Sequence, residues 1–277
     1  MIFTFYPAKG DGTMYSVTDR IKQVKRPSRL IRVSDFTRIQ YHDGKELAPN
    51  ESIDGSLMGR VVDYMTRAAV SGDVRRAFHY CLEGAKYADV IKSRNGVKPH
   101  NLKAAELLLN QIRGGDDRSQ LCVARLAAYD LWYRNPQAAM RYDIQDVYAD
   151  TPTIWNIRRM VWRSMNFLKV CGGAIRFDFT FEPHGYTDTI SSGDGDFLTA
   201  DTLWDMKVLR SKPTTLNALQ VLTYYVMGQH SGQEIYKGIT KIGIYNPRQN
   251  VAYILDVQKV KPEVIYAVEN DIVCYSA

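Results

Sequence analysis

The sequence predicts an α/β fold, and two observations carry that expectation. Leu57, Met58, Val61, Val62, Met65 and Ala69 recur at the i, i+3, i+4 spacing of a helix with one buried face, and helical patterns continue to residue 170. Beyond Cys171-Gly172-Gly173 the apolar period falls to two, interrupted by one further helical stretch.

Residues 1–50 form an irregular basic segment with strand-like pieces at 2–6, 30–33 and 37–41 and a turn at Asp43-Gly44. A helix over 56–70 lies within a first core element, 51–72. Residues 73–172 read as a helical block, with helices near 76–88, 102–113, 118–134 and 153–170. Asp116 or Asp117 caps the third of these, and Thr151 with Pro152 opens the fourth. Residues 173–277 supply strands at 174–181, 196–200 and 203–209, a helix at 214–227, and a hairpin of 239–245 with 251–257 around Asn246-Pro247-Arg248.

With 277 residues and 45% hydrophobic content, the chain can bury a substantial core. Its net charge of +6 leans toward polyanionic partners, and the basic residues crowd 20–38 and Arg158, Arg159 and Arg163. A solvated surface explains such crowding equally well. Cys81, Cys122, Cys171 and Cys274 are too scattered for a zinc or redox motif, and the expectation is reduced thiols. Neither a signal peptide nor a membrane-spanning run is recognisable, so a cytoplasmic protein is expected.

The stretch 193–208, GDGDFLTADTLWDMKV, gathers Asp194, Asp196, Asp205 and Lys207. If it is a hairpin with loop Asp201-Thr202, Asp196 lies opposite Lys207. With loop Ala200-Asp201, Asp196 faces Asp205. Either loop sets Asp196, Asp205 and Lys207 on one face, and a one-residue change in loop length breaks the match. Two carboxylates and an ammonium suit a hard divalent cation, and the reaction such a group serves is phosphodiester hydrolysis. A surface cluster of cross-strand ion pairs is the plain alternative. Asp43-Gly44-Lys45 repeats the D-x-K pattern at a turn, with no strand after it.

Residues 193–225 resemble the core of the PD-(D/E)XK nuclease superfamily, in particular its RecB-like branch. Gly193 to Asp196 matches a G-x-x-D strand, Asp205-Met206-Lys207 the D/E-x-K strand, and Gln220 with Tyr224 the Q-x-x-x-Y helix. Residues 55–63, GSLMGRVVD, resemble the branch's earlier metal-binding helix. There Asp63 stands at the acid and Gly59 where the pattern has histidine, so strict Mn²⁺ use is not carried over. An i, i+4 ion pair with Arg67 is the other reading of Asp63.

The resemblance implies a mixed sheet flanked by helices over 51–72 and 172–260, with 73–172 as a large helical insertion. It implies a metal-dependent deoxyribonuclease. Asp63, Asp196, Asp205 and the Met206 carbonyl would hold Mg²⁺ or Mn²⁺. Lys207 would position water, and Gln220 and Tyr224 would orient Lys207 or touch a phosphate. From charge alone, and not from the resemblance, the basic stretch 20–38 and the helical block with Arg158, Arg159 and Arg163 would form the wall of a groove for single- or double-stranded DNA, in a monomer or homo-oligomer. An iron-sulphur cluster is not expected, because Cys274 stands alone. A catalytically inert nucleic-acid-binding or scaffold protein on the same fold is the alternative. No serine or cysteine has a base partner for triad chemistry, P-loop and GxGxxG patterns are absent, and His79, His184 and His230 read as packing or loop residues.

Overall fold

The computed structural model describes residues 14–275 except 95 and 97, so the expected strand at 2–6 lies outside the described residues. The chain divides into two compact units, 1–42 with 168–277 and 43–167. In chain order the first unit begins with β1 (Tyr15–Ser16), α1 (Val17–Lys22) and β2 (Thr37–Gln40). The helical unit holds α2 (Gly55–Ser71), α3 (Val74–Ala77), α4 (His79–Ser93), α5 (Asn101–Leu109), α6 (Asp117–Ala128), α7 (Asp130–Arg134) and α8 (Pro136–Ala139), and α9 (Thr151–Val170) carries the chain out of it. There follow β3 (Arg176–Phe179), β4 (Ile190–Ser192), β5 (Gly195–Leu198), β6 (Thr202–Met206), α10 (Thr215–His230), β7 (Lys241–Asn246), β8 (Val251–Asp256) and α11 (Pro262–Ala267).

The fold is mixed α/β. Six strands form one sheet in the order β2-β8-β7-β6-β5-β3, with β6 and β7 parallel and every other neighbouring pair antiparallel. β1 and β4 make a separate parallel pair. Thr214 caps α10 in a reciprocal box with Asn217. Leu219, Val221, Leu222 and Met227 of α10 pack into one core with Leu198, Leu203, Ile242, Ile244 and Leu255 of the sheet. Each fully buried aliphatic side chain there contributes about 1.5–3 kcal/mol.

Several boundaries differ from expectation. Residues 30–33 are not a strand: Pro27 opens one 3₁₀ turn, and the Asp35 carboxylate folds back onto the Arg32 amide at 2.7 Å to close a second. Leu30 and Ile31 between them are buried under α10. α1 was not foreseen, although Ser16 caps it by accepting from the Asp19 amide. The helix expected from 76 starts at His79 after the short α3, and that expected over 118–134 breaks at Tyr129. Asp116 caps α6, and Asp150 accepts the Thr153 amide at 2.9 Å within the first turn of α9. His230 ends α10 rather than lying in a loop; its Nε2 is 3.0 Å from Glu269 and its ring stacks on Tyr275.

The domain division also differs. α2, expected with the sheet, falls in the helical unit because its stripe of Leu57, Met58, Val61, Val62 and Met65 is buried in a helix that meets α3 and α6. The N-terminal segment instead joins the sheet through β2. No helix of the described residues is long and apolar enough to cross a membrane.

Candidate active site

The β5–β6 hairpin decides between the two loops left open by the sequence. Phe197 pairs with Trp204 and Leu198 with Leu203, and the Thr199 amide donates to the Thr202 carbonyl at 3.0 Å. The loop is therefore Ala200-Asp201, and the same register continued by one residue sets Asp196 opposite Asp205. Leu198 and Leu203 lie in the core beneath α10, so strand alternation turns Asp196 and Asp205 toward the same side. Phe197 and Trp204 stack on the other face, with centroids 6.2 Å apart.

Both carboxylates are tied into the backbone and side chains around them. Asp196 Oδ2 accepts the Met206 amide at 2.5 Å. Asp205, 2% exposed, accepts from Lys207 Nζ through Oδ1 at 2.9 Å. The Lys207 amide donates to the Tyr245 carbonyl at 2.9 Å, so the parallel ladder holds the lysine's backbone while its ammonium remains partly solvated. Gly195 keeps the neighbouring strand close, since a Cβ there would meet the Phe179 ring at 1.8 Å.

α10 brings the second half of the constellation. Gln220, 7% exposed, donates through Nε2 to the Tyr224 hydroxyl at 2.9 Å and to Thr18 Oγ1 of α1 at 3.4 Å. Their i, i+4 spacing makes the first bond possible. Burial pushes the Tyr224 hydroxyl well above its ordinary pKa of 10.0, and the negative charges of Asp205, Asp194 and Asp196 push it the same way, against the Gln220 bond. Tyr224 thus keeps its hydroxyl proton. Asp194, outside the expected ligand set, belongs to this group. So do Thr18 and Tyr186, whose hydroxyl donates to the Gly193 carbonyl at 2.6 Å. Asp194 was visible in the sequence beside Asp196, whereas nothing in the sequence pointed to the other two.

The remaining expected residues belong to the helical unit. Asp63, in the helical unit, forms the ion pair that was its alternative reading: Arg67 Nε donates to Oδ1 at 2.9 Å and Nη2 sits 2.6 Å from Oδ2. The three arginines do not present one basic face. Arg163 is buried, with Nε at 2.8 Å and Nη2 at 2.9 Å from the Asp43 carboxylate, which its hydrogen bond holds below the usual range. Arg159 lies 3.6 Å from Asp43, and Arg158 bonds the Gly115 carbonyl and, at 2.6 Å, Asp117. The second D-x-K copy is thereby accounted for, since Asp43 is the acid that closes a buried ion pair.

Among the described residues no group of three or more His, Cys, Asp and Glu side chains is arranged to hold a metal. Asp196 and Asp205, opposite each other in the hairpin, offer a pair of hard oxygen donors. Their chemistry fits a cation of the Mg²⁺ type, which keeps several waters and takes only one or two carboxylates. No family model, no curated protein and no solved structure matches the chain.

Proposed function

We propose that this chain is a metal-dependent nuclease that hydrolyses DNA phosphodiester bonds, on a core of the PD-(D/E)XK type. The observation that carries the reading is the convergence of Asp196, Asp205 and Lys207 on the α10 side of the hairpin, where the register sets the two aspartates opposite each other. Asp196 and Asp205 would hold Mg²⁺ or Mn²⁺, with the Met206 carbonyl as a further oxygen donor. When bound, the cation supplies Lewis-acid polarisation of the phosphate and lowers the pKa of water.

The other steps fall to the chain. Lys207, bonded to Asp205 at 2.9 Å, orients the attacking water and offsets the charge that develops on phosphorus. Asp205 fixes the ammonium so that it enters the reaction already aimed. Tyr224, held neutral, keeps its proton and can donate to a phosphate oxygen, and Gln220 fixes the ring that presents it. Asp63 has no part in this reading, because Arg67 engages its carboxylate.

The test is cleavage of linear and closed-circular DNA, single- and double-stranded, with Mg²⁺, with Mn²⁺ and with EDTA, alongside Lys207→Ala. Metal-dependent cutting that the variant loses supports the reading, and intact wild-type substrates in every metal sink it. A second reading, an inert nucleic-acid-binding scaffold, draws support from the internal bonds that occupy Asp196 and Asp205. It predicts no cutting and no metal-dependent rise in Tm.

A further inference from the structure

We infer that the exposed face of α9 binds single-stranded DNA by stacking bases on Trp155 and Trp162. The choice of nucleic acid over a protein partner rests on the nuclease reading, but the residues belong to the helical unit and to none of the chemistry above. Residues 151–170 contain not one Asp or Glu; Arg163 is buried on Asp43, so the cations left near this face are Arg158 and Arg159. Trp155, Arg159 and Trp162 follow at i, i+4 and i+7, which places them in a single stripe.

The chain's four tryptophans divide sharply. Trp132 and Trp204 are each 2% exposed, as large aromatic side chains of a core should be, whereas Trp155 is 45% and Trp162 48% exposed. Arg159 lies between the latter two, its guanidinium carbon 5.3 Å from one ring centroid and 5.2 Å from the other. Asp43, 3.6 Å away, anchors that guanidinium from below. The result is two indoles fixed in place before any ligand arrives, which lowers the entropy lost on binding.

An indole face with a cation beside it recognises a base joined to a phosphate. Duplex DNA hides its base faces in the stack, so such platforms select single strands and tolerate any sequence. Arg158 is available to the backbone, because its pair with Asp117 is a surface one that a phosphate can replace at little cost. A neutral sugar would also stack on tryptophan, but nothing in it answers the cations.

The experiment uses the full chain in EDTA, titrated against a labelled oligothymidylate of roughly sixteen nucleotides. Binding is read by anisotropy, and contact with the exposed indoles by quenching of intrinsic fluorescence. Trp155→Ala and Trp162→Ala should each weaken binding by about tenfold with Tm unchanged. A double tryptophan variant that binds as tightly as wild type overturns the inference, as does duplex competitor that is equally effective. Tryptophan-dependent binding without cleavage in any metal would remove the nuclease reading and leave this one standing. Cleavage that depends on Lys207, with binding indifferent to both tryptophans, would do the reverse.

Discussion

Lys207 Nζ lies 2.9 Å from Asp205 Oδ1, and the two residues are separated along the chain by the single residue Met206, the last of β6. Asp205 is almost wholly buried and Lys207 is partly exposed, so the carboxylate serves as a fixed anchor for an ammonium that still reaches solvent. Lys207→Ala should abolish cleavage, while Lys207→Arg, which keeps charge but not shape, should retain only a trace. Circular dichroism of both variants should match wild type, and activity in Lys207→Ala would dismiss its role.

Asp196 has two tasks that one substitution separates. An amide at 196 still accepts the Met206 N–H but carries no charge. Asp196→Asn should therefore keep the unfolding free energy within about 1 kcal/mol of wild type and lose the Mg²⁺-dependent rise in Tm. Calorimetric titration with Mg²⁺ checks it, and undiminished binding would remove Asp196 from the metal set.

Arg163 tests whether its charge supports the fold or the DNA. Arg163 and Asp43 are both nearly buried, and removal of Arg163 leaves the carboxylate only the more distant Arg159 at 3.6 Å. Arg163→Met should cost about 3–5 kcal/mol in urea unfolding. A loss of DNA affinity at unchanged stability would return the residue to the groove.

Asp89 ties the start of α5. Burial tends to raise its pKa, but the amides of Leu102, Asn101 and His100 and the Asn101 side chain bring it down to about 2. The folded pKa is below the ordinary 3.8, so its contribution is present above that value and is lost as pH falls toward 2. Asp89→Ala should cost about 1–2 kcal/mol near neutrality, and the gap from wild type should close in acid.

Tyr224 gives the alkaline counterpart. Its folded pKa lies well above 10.0, so the unfolded chain loses that proton first and stability declines as pH rises beyond about 10. Tyr224→Phe should flatten the fall of Tm with alkali, and it should cost about 1 kcal/mol near neutrality through the lost Gln220 bond.

Much of the site was legible because strand alternation is a local rule. Asp196, Asp205 and Lys207 share a face in either loop, and Gln220 and Tyr224 meet through a helical spacing that any i, i+4 pair obeys. The loop itself was not legible, since Ala200-Asp201 and Asp201-Thr202 both make even hairpins and only the Thr199–Thr202 bond distinguishes them. Arg163 and Asp43, 120 residues apart, meet only in the fold, so three adjacent basic residues looked like a surface. α1 escaped notice because six residues are too few to display a period, and its stability comes from Val17 and Ile21 in the core rather than from propensity.

The pairing of β2 with β8 has a bearing on solubility. β8 is the last strand of the sheet in sequence, and its outer hydrogen-bonding groups are met by Thr37–Gln40, made more than two hundred residues earlier. A chain deprived of its first forty residues would present Val251–Asp256 as an open β-edge, a template for pairing with another copy. The short N-terminal strand, with Arg38 exposed upon it, thus acts as a guard rail against aggregation, and expression clones trimmed to the sheet alone should precipitate.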